Sequence, residues 1–185
     1  MNLLDHLRTG ARANRLANHR LHAAMAALKA DEFEAVRTGF FPSLAATLNH
    51  VLAVDLYYIA ALHREADMVA QYERFEACRS VAELAERQQR SDERLIRFVD
   101  ALTIEGLDAE VVMDRGETRQ IDRAAPVLAH LAMHQNHHRG QAHAMLSGST
   151  VRPPQLDEFL MPSDAPLRAD DMRALGWTER ELFGA

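Results

Sequence analysis

Apolar side chains recur every three to four residues over four long stretches of the chain, the spacing that gathers them on one face of a helix. In the first, over 3–28, Leu4, Leu7, Ala11, Asn14, Leu21 and Met25 fall near one stripe and the arginines elsewhere. The second opens at "FPSLAATLNHVLAVDLYYIAALH", with Pro42 suited to the first helical position, and runs to 63. The third, over 80–102, begins with Ser80-Val81-Ala82-Glu83, the pattern of a capping box. The fourth starts near Pro126 and runs to 146, where Ser147 and Gly148 stop it. Between the third and fourth, two β-prone runs in "EVVMDRGETRQI" flank Asp114-Arg115-Gly116-Glu117 and predict a short hairpin. Beyond Gly148 the pattern ends. Four of the six prolines lie in "SGSTVRPPQLDEFLMPSDAPLRADD", which predicts an extended segment over the body and then one short helix at 170–182. The expected architecture is all-α: a four-helix bundle with a hairpin before its fourth helix and a Pro-rich C-terminal strap, forming one domain over 1–185.

Composition narrows the classes of function. A chain of 185 residues can bury a core without staples, and its only cysteine, Cys78, permits no internal disulfide. A nucleophilic role would need a depressed thiol pKa, and Cys78 reads instead as a small buried residue. The net charge is −6, with 21 basic and 27 acidic residues, and the single lysine, Lys29, belongs to no basic block. A nucleic-acid partner held by a broad basic surface is not expected. Asp5, His6, Arg8 and Arg12 interrupt the run a signal peptide would need, and no run approaches the roughly 18 consecutive apolar residues of a membrane span. The expectation is a soluble cytoplasmic protein with no membrane partner.

The stretch "HLAMHQNHHRGQAH", residues 130–143, changes the picture, because it holds five of the chain's ten histidines. At about 100° per residue, Val127, Leu131, Ala142 and Met145 mark the buried stripe of the fourth helix. His134 and His138 fall about 20° to either side of its centre, His130 and His137 lie on its flanks, and His143 points outward. Two readings stand: a polar face rich in histidine, or a metal site that uses the inward pair one turn apart. His50 bears on the choice. It sits in an otherwise apolar run of the second helix, sharing a face with Thr47, Val54 and Tyr57. Alone it reads equally well as a core histidine bonded to a carbonyl. Together with His134 and His138 it would complete a three-histidine site with coordination positions left open.

The neighbours take lesser roles. Asp55 does not share a face with His50, so it is expected to orient an imidazole or pair with Arg139 and not to ligate. Arg139 reads as a salt-bridge residue of the bundle before a substrate clamp. His130 and His137 either line the rim of a pocket or are solvated, Tyr57 and Tyr58 form core or pocket wall, and Trp177 anchors the C-terminal piece.

Four stretches carry a likeness to a known family: "ARANRLANHRL" at 11–21, "FFPSLAATLNHVLAVDLYYI" at 40–59, "AHLAMHQNHHRGQAHAML" at 129–146 and "VRPPQLDEF" at 151–159. The most specific is H-x-x-x-H-R-G-Q, here His134 to Gln141, coupled to N-H-x-L-x-x-D, here Asn49 to Asp55. On these the chain resembles the DinB/YfiT-like family, whose damage-inducible members are regarded as metalloenzymes. The resemblance implies a four-helix bundle, commonly dimeric, whose metal is held by residues corresponding to His50, His134 and His138. It implies nickel or zinc, both suited to imidazole, and in some relatives a low-molecular-weight thiol used for transfer or isomerisation. Ala13 and Leu16 stand where the family often has tyrosine and tryptophan, which leaves the substrate open.

Three functions compete. One is a metal-dependent hydrolase or thiol-linked transferase acting on a small molecule, with water or thiol at the metal as the reacting group. The second is a non-catalytic stress-response protein stabilised by its metal, and the third a metal-free bundle.

Overall fold

The computed structural model describes residues 2–183. Four long helices form its body: α1 (Leu3–Met25), α2 (Leu44–Leu62), α4 (Val81–Ala101) and α5 (Ala124–Leu146). A one-and-a-half-turn helix, α3 (Met68–Glu73), follows α2, and the hairpin of β1 (Glu110–Asp114) and β2 (Arg119–Arg123) precedes α5. Two short helices, α6 (Ala169–Leu175) and α7 (Glu179–Phe183), end the described chain. Helix α1 packs chiefly along α4, and α2 along α5 with its other flank on α4. The all-α bundle with a hairpin is therefore the observed architecture.

Local chemistry sets the helix ends. Asn2 and Asp5 form a reciprocal capping box on α1. Ser43, not Pro42, governs the start of α2. Its hydroxyl accepts the Ala46 N–H at 3.0 Å, which leaves Pro42 one residue outside the helix. Ser80 caps α4 as expected, accepting the Glu83 N–H at 3.2 Å, but the Glu83 carboxylate reaches back one residue further, to the Arg79 N–H. Helix α1 stops at Met25, where tight turns from Ala27 and Leu28 replace the helical ladder. Helix α5 begins directly after β2, so Pro126 falls inside the first turn, where no intrahelical N–H is needed.

The hairpin is antiparallel, with Asp114 opposite Arg119. Asp114 thus belongs to the strand, and the turn is 115–118, with Gly116 at φ 81° supplying the left-handed residue. The pleat puts Val111 and Met113 into the core and leaves Val112 outside. The expected single C-terminal helix is two, because Gly176 at φ 68° ends α6 in a left-handed cap.

Side chains of α2 fill both main cores. Tyr57, Ile59 and Ala60 meet Val99, Leu107 and Leu131 at one end, and Leu44, Leu48 and Leu52 meet Met25, Leu84 and Leu146 at the other. Among the described residues α2 alone is long and apolar enough to cross a membrane, yet 83% of that window is buried inside the protein. Its apolarity is that of a central bundle helix. The C-terminal strap has its own small core, in which Phe159, Met172, Leu182 and the expected anchor Trp177 cover Leu16 and Ala17 of α1. Arg20 fixes the strap by donating to Asp171, the Gln155 carbonyl and the Leu167 carbonyl.

Candidate metal centre

His50 projects from the second turn of α2, and His134 and His138 from successive turns of α5, which packs alongside. One ring nitrogen from each of the three lies within 4.8 Å of the others. The Nε2 atoms of His50 and His134 are 3.0 Å apart. Burial, then the neighbouring His138, holds the pKa of His50 below its ordinary value; burial and the surrounding histidines bring His134 down to about 4. Both rings are neutral at pH 7, the form in which imidazole donates a lone pair.

Further contacts orient the rings. His138 Nδ1 lies 2.8 Å from Gln141 Oε1, an acceptor, so Nδ1 carries the proton and Nε2 keeps its lone pair. Phe41, from the loop before α2, packs on His50 and His138 at centroid distances of 4.5 and 5.6 Å. His134 Nδ1 is buried with no hydrogen-bond partner. Three converging imidazoles, one with an unpartnered buried nitrogen, are a donor set that fits a divalent ion of borderline softness.

The triad opens on a cleft of about 530 Å³. Val54, Tyr57 and Tyr58 of α2 form one wall, Val69, Tyr72 and Glu73 of α3 another, with His130 of α5 and Arg115 of the hairpin turn at the edge. The tip of the hairpin is pinned over this space. Tyr57 Oη donates to the Asp114 carbonyl at 2.6 Å, and Arg115 donates to Tyr58 Oη at 3.0 Å. Burial pushes the Tyr57 hydroxyl above its ordinary pKa, which keeps it a donor.

Of the residues expected around the triad, Tyr57, Tyr58 and His130 line the cleft, and the His130 ring packs tilted against that of Tyr58 at a centroid distance of 5.0 Å. The others do not. His137 is exposed outside the cleft, its ring edge-on to His138 and its Nε2 3.1 Å from the Gln141 amide nitrogen. Asp55 orients no imidazole. It is fully buried on another side of α2, where Oδ2 accepts from Gln88 at 2.7 Å and from Gln135, while Oδ1 has no partner. Nor does it pair with Arg139, whose guanidinium donates to Asn14, Asn18 and Asn136. Gln88 bridges Asp55 to Asp92, and Asp92 accepts from Asn14 and Asn18, so Asp55 and Arg139 are two ends of one buried network. His143 does not simply face water: its Nε2 lies 2.8 Å from the Pro154 carbonyl and ties α5 to the strap.

Periodicity could not find Arg115, Tyr72 or Glu73. They stand on a turn and on a helix too short to show a face. Gln141 could have been found, because it lies one turn from His138 inside the quoted H-R-G-Q motif.

A helical bundle with an inward histidine triad at the floor of a cleft defines a candidate metal-binding protein. The chain belongs to the DinB family, whose sequence model matches residues 4–172. None of the curated proteins matches it.

Proposed function

We propose that His50, His134 and His138 hold one divalent ion, nickel or zinc, and that the protein is a metal-dependent enzyme of hydrolase or thiol-linked transferase type acting on a small molecule. The observation that carries this reading is the position of the triad: three converging imidazoles at the floor of an open cleft, not sealed in the core. A bound ion supplies Lewis acidity, lowering the pKa of a water or low-molecular-weight thiol that reaches it. The chain's own residues do the rest. Gln141 fixes the His138 tautomer, Phe41 screens the rings from solvent, the tyrosines and valines hold the apolar part of a substrate, and His130 takes or gives a proton at the rim. We further propose that the domain works as a cytoplasmic homodimer.

The test is elemental analysis of protein purified without a histidine tag, followed by a turnover screen with ester, amide and thiol substrates. About one divalent ion per chain, lost in His134→Ala, is expected. Absence of stoichiometric metal would sink the site. A metal that raises the melting temperature while no substrate turns over would favour a non-catalytic, metal-stabilised protein instead.

A further inference from the structure

The hairpin carries three arginines with different surroundings. Arg119 lies 3.8 Å from the Asp114 carboxylate and Arg123 3.6 Å from that of Glu110. Arg115, on the turn, has no carboxylate within ion-pair distance among the described residues. Its Nη2 donates to Tyr58 Oη at 3.0 Å and to Gln120 Oε1 at 3.4 Å, and its guanidinium carbon stands 5.1 and 5.7 Å from the ring centroids of Tyr57 and Tyr58. The aromatic faces attract the cation but leave its other donors open. It is therefore a positioned, unneutralised guanidinium at the edge of the cleft whose floor is the triad.

The other charges of the cleft differ from it. The Asp114 carboxylate is occupied by the Gly116 N–H at 2.9 Å and by Arg119. Glu73 reaches the cleft from the exposed end of α3, and no hydrogen bond or ion pair holds it in place among the described residues. A preoriented cation recognises an anion at less entropic cost than a free side chain recognises a cation. Guanidinium geometry favours the two coplanar oxygens of a carboxylate.

We propose that the cleft takes a small molecule bearing a carboxylate, bound by Arg115, with its apolar body on Tyr57, Tyr58 and Val54 and its remaining polar end toward the histidines. This rests on the reading of the cleft as a substrate site, and it assigns the class of substrate.

The test compares phenylbutyrate, phenylbutyramide and phenylbutylamine by calorimetric titration, on protein freed of metal and on protein loaded with zinc, with metal content measured on the same samples. The acid is expected to bind about tenfold more tightly than the amide in both forms. Arg115→Gln should erase that preference, Arg115→Lys should keep part of it, and both should stay folded, because the side chain sits on an exposed turn and the Tyr57 hydrogen bond to the Asp114 carbonyl still holds the hairpin. Equal binding of acid and amide, tightest binding of the amine, or no binding of any of the three overturns the proposal. So does an acid preference that needs zinc and survives Arg115→Gln, since the metal alone then accounts for it. A protein that takes up no metal, yet loses its acid preference in Arg115→Gln, sinks the metal reading and leaves the carboxylate site standing.

Discussion

Two polar clusters lie on different sides of the same apolar helix, and they solve the problem of buried polarity in opposite ways. On one side Asp55, Gln88, Asp92, Asn14, Asn18 and Arg139 join α1, α2, α4 and α5 through a nearly continuous run of hydrogen bonds, every link buried or half-buried. On the other, His50, His134 and His138 present nitrogens to one another and to a cleft, with His134 Nδ1 unpartnered. Burying a polar group costs free energy unless a partner is supplied. The first cluster is sealed between the helices, takes nearly all its partners from within the chain although Asp55 Oδ1 has none, and reads as architecture that fixes how the helices pack. The second converges on an open cleft, and that opening is what points to a ligand. Burial and charge alone would have pointed to the other cluster, since Asp55 is the more deeply buried and that burial holds its carboxyl well above the ordinary carboxylate range.

The sharpest way to break this contrast is to remove one member of each. His134→Ala should cost metal affinity more than the roughly 10–100-fold that follows loss of a ligand's hydrogen-bond partner, while the metal-free protein melts near the wild-type temperature. Competition against a chelator measures the first and thermal denaturation the second. Arg139→Ala should do the reverse. It removes the donor to Asn14 and Asn18 inside the buried network, so stability should fall by about 1–3 kcal/mol for each buried oxygen left unsatisfied, with metal stoichiometry unchanged. If Arg139→Ala empties the metal site in protein that is still folded, the two clusters are not separate.

Much of this was legible in the chain. The four long helices follow from the spacing of apolar residues, and the wheel separates His134 and His138 from His130, His137 and His143. That His50 meets them is a tertiary fact that an otherwise apolar helix only hinted at. The misreadings have physical causes. Asp55 looked like a partner of an imidazole or of Arg139 because spacing shows a residue's face but not its neighbour; Gln88 and Gln135, from two other helices, both donate to one of its oxygens instead. Pro42 and Ser43 are both plausible starts of a helix, and a hydroxyl that satisfies an N–H decides between them. Arg115 had no periodic context, because a turn of four residues shows no face.

A pH titration sharpens the same contrast at smaller amplitude. Burial raises the Asp92 pKa to about 6, against an ordinary 3.8. The folded state therefore holds the proton more tightly than the unfolded one. The stabilisation from that proton is fully present below about pH 3.8, declines as pH rises, and is gone above about pH 6. Asp92→Asn mimics the protonated form at every pH. The stability difference between variant and wild type should grow in the variant's favour across that window, by on the order of 2–3 kcal/mol, and stay flat on either side. Taking the difference cancels groups that do not interact with Asp92, His22 among them, whose burial brings it down to about 3 and so weakens the fold as pH drops below its ordinary 6.5. Urea denaturation of both proteins at intervals through the window reads the effect, and a difference independent of pH would mean that Asp92 is ionised throughout.

The smallest effect tests the finest point, that Gln141 serves the triad and not the fold. Its Oε1 receives the His138 Nδ1 proton at 2.8 Å while its amide nitrogen lies 3.1 Å from His137 Nε2. Gln141→Ala frees the imidazole to rotate and to change tautomer, so metal affinity should weaken by roughly 10–100-fold. Gln141→Glu keeps an acceptor at that place and adds charge, which makes the ring a stronger donor, so its affinity should equal or exceed that of the wild type. Neither change should alter the melting temperature of the metal-free protein, because the side chain is half-exposed and lies outside both main cores. Wild-type affinity in Gln141→Ala would mean that packing against Phe41 and His137 alone orients His138. A loss shared equally by Ala and Glu would point to the amide nitrogen and its contact with His137 as the part that matters.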